Sequence, residues 1–265
     1  MSPQGAQTGD EGRRLVRRAG GALCGRKKQA EGPDRRRRSV EQSADEPAAR
    51  SATEGRRVNI RWLGHSCIEL VGKSHILVDP DYLVDPMPDV DYVCLTHGHR
   101  DHFGKAAELQ TGRIIASGDV CDTARKEGVP EERLVEGKPG DRFDSINVLK
   151  GHSATGFLTE LMGRLLGVGG DLSGGTPLAF FIEDELSELH PGDGLKATGT
   201  PRVDVLCLPY MKFVRSSAVK LANQINPKYV IPIHFDCPWT VDPEELRERL
   251  TAEVVLPRSF VELRS

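Results

Sequence analysis

The seven residues Thr96–His102 constrain the fold of this chain more than any other segment, because they contain four side chains that can bind metal. They read Thr-His-Gly-His-Arg-Asp-His and directly follow the apolar run Val93–Leu95. Imidazole and carboxylate groups suit zinc and its first-row neighbours. These ligands cannot all reach one ion from one face of a helix. A tight loop at the end of a strand could present them to two adjacent ions; the alternative is a polar surface loop rich in histidine.

Three further potential ligands, His152, Asp193 and His234, each follow a predicted strand. A single histidine in such a place is more often a hydrogen-bonded structural residue than a ligand. Strand ends along one edge of a sandwich, however, converge on a common cleft. We therefore predict that these three side chains join the Thr96–His102 loop and complete two ligand sets.

The order of predicted elements indicates the fold class. Apolar and polar residues alternate over 58–62, as in a half-buried strand. Strands come first, then strands alternate with helices, and a strand–helix–strand arrangement follows again. We predict an α/β protein, a four-layer αβ/βα sandwich with two sheets face to face and helices outside. The predicted strands are 58–62, 66–71, 75–78, 91–95, 113–116, 143–149, 178–182, 188–190, 203–208, 229–233 and 260–261, and the predicted helices are 106–109, 120–126, 216–225 and 243–250.

Residues 1–55 differ in composition from the rest of the chain. They are rich in arginine, including the run Arg35–Arg38, and have almost no apolar periodicity. Such a segment cannot bury enough apolar surface to offset its ordering entropy. We predict a disordered basic tail over 1–55 and a folded domain over 56–265. Since the whole chain has a formal net charge of −3, the domain itself is acidic, and a nucleic-acid partner is expected only through the tail.

The location is predicted to be cytoplasmic, without membrane contact. No secretory apolar segment is present, and no apolar run approaches the roughly 20 residues that span a bilayer. The six cysteines form no Cys-x-x-Cys pair, and Cys67, Cys94 and Cys207 lie in apolar runs, which indicates buried thiols in a reducing compartment. Cys237, three residues after His234, is expected to pack near the site rather than bind metal.

Residues 156–177 interrupt the rhythm of strands. They combine seven glycines with an amphipathic stretch that starts at Phe157. A lid over a substrate pocket and an ordinary surface insertion are both compatible with this composition.

The His-x-His-x-Asp-His core, the later histidine, the Gly-Asp pair and the final histidine together resemble the metallo-β-lactamase superfamily. Three segments, Trp62–Ser66, Leu77–Pro80 and Pro232–Phe235, look most similar to its ascorbate-6-phosphate lactonase-like branch. The resemblance covers residues 56–263 and implies a metallo-β-lactamase-like hydrolase domain. The insertion at 156–177 and Cys237 depart from the branch, so they bear on the substrate.

The resemblance also implies two divalent metal ions, preferably Zn²⁺, with Mn²⁺ or Fe²⁺ as alternatives. Asp79 would orient the ligands from behind them. The implied ligands are His97, His99 and His152 for one ion, Asp101, His102 and His234 for the other, and Asp193 between the two.

Other residues near strand ends are candidates for contact with the substrate. His65, in a Gly-His-Ser turn, is expected to act in catalysis or touch the substrate, or else to hydrogen-bond within its turn. Tyr210 and Lys212, with Arg215 beyond them, could bind an anionic substrate or simply be solvated. His190 is expected to have a structural role in the strand that leads to Asp193.

Two zinc-like ions about 3.5–4 Å apart can share one water and lower its pKa to near 7. We expect this bridging hydroxide to cleave a small anionic ester, lactone or phosphodiester, with Asp101 orienting the nucleophile. Two other functions remain open. Di-iron redox proteins of the same fold typically have a carboxylate where this chain has His99, and a metal-stabilised binding module could act through the basic tail. The sequence also leaves a homo-oligomer open.

Overall fold

Two seven-stranded β-sheets form the framework of the protein. We describe it from a computed structural model, which defines residues 57–152, 174–196, 201–236 and 240–264. Within these residues the sheets lie between helices on both outer faces. The predicted four-layer αβ/βα sandwich is therefore confirmed.

The first sheet has the strand order β14-β1-β2-β3-β4-β5-β6. Neighbours from β14 to β3 are antiparallel, and those from β3 to β6 are parallel. The parallel strands β3 to β6 therefore end at one edge of this sheet. The strands are β1 (Arg57–Gly64), β2 (Cys67–Val71), β3 (His75–Val78), β4 (Tyr92–Cys94), β5 (Arg113–Ala116), β6 (Leu134–Glu136) and β14 (Val261–Arg264).

The second sheet has the order β13-β12-β11-β10-β9-β8-β7. Here β10 to β13 are parallel, and β7 to β10 are antiparallel. The ends of β11 and β12 lie side by side, since Pro209 pairs with Ile233. The strands are β7 (Arg142–Phe143), β8 (Ile146–Lys150), β9 (Leu178–Glu183), β10 (Ser187–His190), β11 (Val205–Pro209), β12 (Tyr229–Ile233) and β13 (Glu253–Val254).

Strand alternation explains how each sheet is covered on both faces. In β11, Val205 and Cys207 face the core between the sheets, whereas Leu206 and Leu208 pack in the outer cluster with helix α3. Helix α2 covers the first sheet in the same way. The helices are α1 (Arg100–Phe103), α2 (Gly118–Lys126) and α3 (Arg215–Ile225), and the 3₁₀ segments are Glu131–Arg133 and Pro243–Glu248.

The structure departs from the predicted elements in a few places. Residues 106–109 form turns instead of the predicted helix, and the predicted strand 143–149 is divided into β7 and β8 by a turn at Asp144, where φ is +51°. The short strands β6 and β13 were not predicted. The tail 1–55, residues 156–173 of the insertion and Cys237 lie outside the described residues. Among the described helices, none combines the length and apolarity needed to cross a bilayer.

Candidate metal centre

The ends of strands from both sheets bring histidine and aspartate side chains together. The loop after β4 supplies His97 and His99, and α1 supplies Asp101 and His102. The second sheet supplies Asp193 after β10 and His234 directly after β12. His234 has φ +57°, a conformation that costs energy for a residue other than glycine. Its backbone N–H donates to the His65 carbonyl at 2.9 Å, which ties the two sheets together here.

The side chains form two groups that could each hold a metal ion. The first group is His97, His99 and Asp193, and the second is Asp101, His102 and His234. Within each group the potential ligand atoms lie within 4.8 Å of one another. The predicted convergence is thus seen for six of the seven residues, and the identity of a bound ion remains a prediction.

Asp193 lies between the two groups. Its Oδ1 atom is 3.3 Å from His102 Nε2 and 3.2 Å from His234 Nε2. Its Oδ2 atom is 3.7 Å from His97 Nε2. One carboxylate oxygen therefore faces each group. The Asp193 side chain is 23% exposed, whereas those of His102 and His234 are at most 2% exposed, so the centre opens to solvent on the Asp193 side.

Buried hydrogen bonds to the Asp79 carboxylate determine which ring nitrogens of His97 and His102 carry a proton. The carboxylate of Asp79 accepts from the Thr96 N–H and hydroxyl, each at 2.8 Å, and from His102 Nδ1 at 2.7 Å. Because the Thr96 hydroxyl donates to Asp79, its oxygen accepts from His97 Nδ1 at 3.1 Å. Both imidazoles consequently carry their proton on Nδ1. The Nε2 lone pairs of His97 and His102 are left to face the centre.

The geometry at the centre fits cations. His102 Nε2 lies 3.0 Å from His234 Nε2, and His97 Nε2 lies 3.0 Å from His99 Nδ1. Each pair is at hydrogen-bonding distance if one of the two nitrogens carries a proton, and a metal ion can replace that proton between the nitrogens and the nearby carboxylate. Asp193 Oδ1 is buried and has no hydrogen-bond partner among the described residues. Imidazole nitrogens and carboxylate oxygens are the ligand set that zinc accepts.

The pKa values of the buried groups reflect the same electrostatics. Burial and the neighbouring His102 lower the pKa of His97 to about 3, so His97 is neutral, as a metal ligand must be. Burial alone would lower the pKa of His102, but the Asp79 and Asp193 carboxylates raise it well above its ordinary value. The field at His102 therefore favours a positive charge. Burial raises the pKa of Asp101, but His102 and His234 outweigh this and lower it, which favours the carboxylate.

His152 is the one predicted ligand that belongs to neither group. Its backbone packs against Gly194, beside Asp193, where an added Cβ would lie 3.1 Å from the His152 carbonyl oxygen. Its Nε2 atom is buried and has no hydrogen-bond partner among the described residues. Burial, with the charges of Lys196 and Lys150, lowers the pKa of His152. Its ligand role stays a prediction.

A turn built on His190 positions Asp193. The His190 Nε2–H donates to the Ser66 carbonyl at 2.9 Å, and Nδ1 accepts from the Gly192 N–H at 3.3 Å. Gly192 has φ +59°, and a Cβ there would lie 2.8 Å from Thr96. His190 thus has the expected structural role, because its imidazole holds the turn that leads to Asp193. Thr96 and Gly192 were not singled out from the sequence, although Thr96 directly precedes the His-x-His pair.

His65 lies between two carboxylates beside the centre. Its Nδ1 is 3.0 Å from Asp236 Oδ2, and its Nε2 is 3.7 Å from Asp81 Oδ2. The hydrogen bond with Asp236 raises the pKa of His65, although burial opposes it. The Trp62 indole N–H donates to the His65 carbonyl at 3.0 Å and holds the turn, in which His65 has φ +47°. The imidazole is 19% exposed, and its catalytic role remains a prediction.

Tyr210 does not fit its predicted contact with substrate. It is fully buried in the outer cluster of the second sheet, and its hydroxyl donates to Glu245 Oε2 at 3.1 Å. Arg215 also donates to Glu245, at 2.9 Å. Lys212 is exposed in the loop after β11, so its predicted role is neither supported nor opposed.

This chain is similar in sequence and in fold to known proteins. A model described as the beta-lactamase superfamily domain matches residues 59–234. A UPF0173 metal-dependent hydrolase of Methanosarcina barkeri is 30% identical over 221 residues, covering 74% of this chain and 92% of the relative. One from Nanoarchaeum equitans is 24% identical over 208 residues, covering 72% of this chain and 91% of the relative. Among solved structures, a novel metallo hydrolase from Ignicoccus hospitalis has a TM-score of 0.62 at 18% identity and covers 79% of this chain and 99% of its own.

Proposed function

The chain belongs to the metallo-β-lactamase superfamily and, within it, to the UPF0173 metal-dependent hydrolases, and we propose that it uses two divalent ions, zinc by preference, to cleave a small anionic ester, lactone or phosphodiester. As a member of this family it is a metal-dependent hydrolase. We propose the number and identity of the ions and the substrate class. Membership of the ascorbate-6-phosphate lactonase-like branch is also part of this proposal.

The position of Asp193 supports a two-ion centre most directly. Its two oxygens face different ligand groups, at 3.2–3.3 Å from the His102 and His234 Nε2 atoms and at 3.7 Å from His97 Nε2. A carboxylate placed in this way can hold two ions a few ångströms apart. Bound ions would supply a water of lowered pKa and polarise the oxygen of the substrate.

Asp101 is the residue of this chain that we assign to the nucleophile. Its lowered pKa keeps the carboxylate ionised, so it can accept a hydrogen bond from an attacking water and orient that water. The Ser66 hydroxyl donates to the Asp101 carbonyl at 3.1 Å and fixes the backbone there. His65, held by Asp236 at 3.0 Å, is assigned to the reacting end of the substrate.

Cationic side chains near the centre support an anionic substrate. Arg100 is exposed between the ligands His99 and Asp101. The charges of Lys196 and Lys150 reach His152, since they contribute to lowering its pKa. Lys212, which is exposed in the loop after β11, is assigned to the anionic group of the substrate as part of the proposal. These charges would attract an anion by long-range electrostatics.

Two alanine variants of the centre test the proposal. His97→Ala removes a ligand of the first group, and Asp101→Ala removes the acceptor for the nucleophile. We expect either to lower kcat/KM at least 100-fold on a panel of phosphodiester, lactone and ester substrates. Asp122→Ala, an exposed carboxylate on α2 that pairs with Arg125, is the control. Full activity in either variant, with metal content measured, would refute the assignment.

Metal analysis separates this proposal from the redox alternative. Mass spectrometry of the purified protein should find two zinc ions per chain. Iron at the same stoichiometry, together with reduction of oxygen or nitric oxide, would favour a di-iron redox protein. The histidine at position 99, where the redox proteins typically have a carboxylate, supports zinc.

Location and partners are proposed on less direct grounds. The free cysteines among the described residues, Cys67, Cys94, Cys121 and Cys207, are all buried, which supports the reducing environment of the cytoplasm. Nucleic-acid contact through residues 1–55 and a homo-oligomer stay predictions. If the full chain is retained on immobilised nucleic acid and a chain lacking residues 1–55 is not, the predicted nucleic-acid contact is supported.

A further inference from the structure

Residues 174–178 run alongside the metal-binding loop on their way into β9. The Gly98 N–H donates to the Gly174 carbonyl at 2.9 Å, and the Leu178 N–H donates to the Thr96 carbonyl at 2.7 Å. These two bonds flank His97. The backbone at the C-terminal end of the insertion is therefore paired with the loop that carries His97 and His99.

Gly174 brings this backbone against the imidazole of His99. A Cβ at Gly174 would lie 2.6 Å from His99 Nε2 and 3.1 Å from its two adjacent ring carbons. Real side chains do not tolerate such an approach, so only glycine leaves the imidazole where it is. The opposite ring nitrogen, Nδ1, faces His97 Nε2 at 3.0 Å. The backbone of Gly174 thus packs against the Nε2 side of the His99 imidazole, opposite to Nδ1.

Asp119, near the start of α2, holds the backbone that packs against His99. Its Oδ2 accepts from the Thr176 N–H at 2.7 Å and from the Thr176 hydroxyl at 3.0 Å. Its Oδ1 accepts from the Ser117 hydroxyl at 2.6 Å and from the Val120 N–H at 3.0 Å. Burial raises the pKa of Asp119, but these hydrogen bonds outweigh it and lower the pKa. The ionised carboxylate satisfies four donors and joins α2 to the segment over His99.

We propose that Asp119 is a positioning residue for His99: it holds Gly174–Thr176 against the imidazole and so keeps Nδ1 aimed into the first ligand group. The inference rests on the proposed two-ion function. Asp119 itself does not reach the ligand groups, and its effect passes through Thr176 and Gly174. The side chains of the second group come from α1 and from the residue after β12, so we expect the first group to respond more strongly than the second.

Zinc titration of the metal-stripped protein, followed by calorimetry and by the visible spectrum of a Co²⁺ form, tests the proposal. In Asp119→Asn we expect the ion of the first group to bind 10- to 100-fold more weakly, with a smaller loss of affinity at the second. Thr176→Val, which loses the hydroxyl but keeps the N–H, should give a smaller loss. Thr176→Ser should bind like the native protein.

Asp122→Asn is a matched control, because Asp122 lies on the same helix but is exposed and pairs with Arg125 at 2.6 Å. A Gly174→Ala variant should weaken the first ion more than Asp119→Asn does and should alter the Co²⁺ spectrum. If Asp119→Asn and Thr176→Val both bind two ions with native affinity, the inference about Asp119 is wrong. The proposed two-ion function would not be affected by that result. Equal weakening of both ions, with a matching fall in Tm, would also overturn it. A native protein that binds fewer than two ions would refute the proposed function itself.

Discussion

Asp79 accepts a hydrogen bond from His102 Nδ1 at 2.7 Å, and both side chains are completely buried. This contact determines which nitrogen of His102 is free, because an ionised carboxylate can only accept. The Nε2 lone pair is thereby directed toward His234 and Asp193. Asp79 has φ +48°, a backbone conformation that is unfavourable for residues other than glycine. This conformation places the Asp79 carboxylate next to Thr96 and His102.

Asp79→Asn should weaken metal binding 10- to 100-fold without unfolding the protein. The amide has one acceptor oxygen in place of two, so it cannot serve the Thr96 N–H, the Thr96 hydroxyl and His102 together. Zinc affinity measured by competition with a chelator gives the effect. Asp91→Asn is the control, since Asp91 Oδ2 accepts from the His75 N–H at 2.8 Å at the other end of β4. Native affinity in Asp79→Asn would contradict this account of the proton positions.

The Thr96 hydroxyl links Asp79 to His97, so Thr96→Val and Thr96→Ser should differ. Valine keeps the shape but leaves His97 Nδ1–H without its acceptor, which should cost about 1–3 kcal/mol of stability and weaken zinc binding. Serine keeps the hydroxyl and loses only the methyl group that packs on Gly192, a cost of about 1 kcal/mol.

Nitrogen-15 NMR of the imidazoles separates the two Thr96 variants. The serine variant should keep the proton of His97 on Nδ1, as in the native protein. The valine variant should show a mixture of tautomers. If valine and serine bind zinc equally well and leave the His97 tautomer unchanged, the hydroxyl has no positioning role.

Removal of the metal should destabilise the fold, because an ion that binds the folded protein and not the unfolded chain stabilises the folded state by mass action. Zinc at about 1,000 times its Kd stabilises by about 4 kcal/mol, which corresponds to roughly 10 °C in Tm for a domain of this size. Chelation should lower Tm by about that amount, and added zinc should restore it. A His97→Ala variant should respond less. An unchanged Tm on chelation in the native protein would show that the ligands do not hold an ion.

The convergence of the ligands could be predicted from the sequence, but the proton arrangement could not. His97, Asp193 and His234 follow strands, and parallel strands end at one edge of a sheet. Thr96 has no distinguishing sequence signal except its place before His97. Its contact with Asp79 exists only because β3 and β4 pair in a register that places Val78 opposite Cys94.

Tyr210 shows where the strand-end reasoning fails. A strand end gives the position of a residue but not the direction of its side chain. Alternation gives the direction, because Leu206 and Leu208 pack toward α3 while Val205 and Cys207 face the inner core. Tyr210 continues the outward series and is buried there. The sequence therefore contained a signal against its contact with the substrate.

Short elements escape sequence patterns for a different reason. The strands β6 (Leu134–Glu136) and β13 (Glu253–Val254) contain three and two residues, too few to display alternation. Ala106 and Leu109 pack against the first sheet with no helix between them. Their apolar spacing reflects contact with that core and was wrongly interpreted as a helix.

Glu188 on β10 is a carboxyl group buried between the two sheets. Its side chain contacts Cys207, whose thiol donates to Oε1 at 3.4 Å, while Oε2 has no hydrogen-bond partner among the described residues. The small cavity beside it is lined by apolar side chains that include Val58, Ile76 and Val205. Burial raises the pKa of Glu188 from 4.5 to about 8.

The raised pKa of Glu188 predicts a loss of stability as pH rises. Between its unfolded pKa of 4.5 and its folded pKa of about 8, the folded protein keeps a proton that the unfolded chain has released. The unfolding free energy should therefore fall by about 4 kcal/mol from pH 5 to pH 9 on account of this group. Glu188→Gln cannot ionise, so this part of the decline should vanish in the variant. Urea unfolding of both proteins at pH 5, 7 and 9 measures the difference, and parallel declines would show that Glu188 ionises as freely in the folded protein as in the unfolded chain.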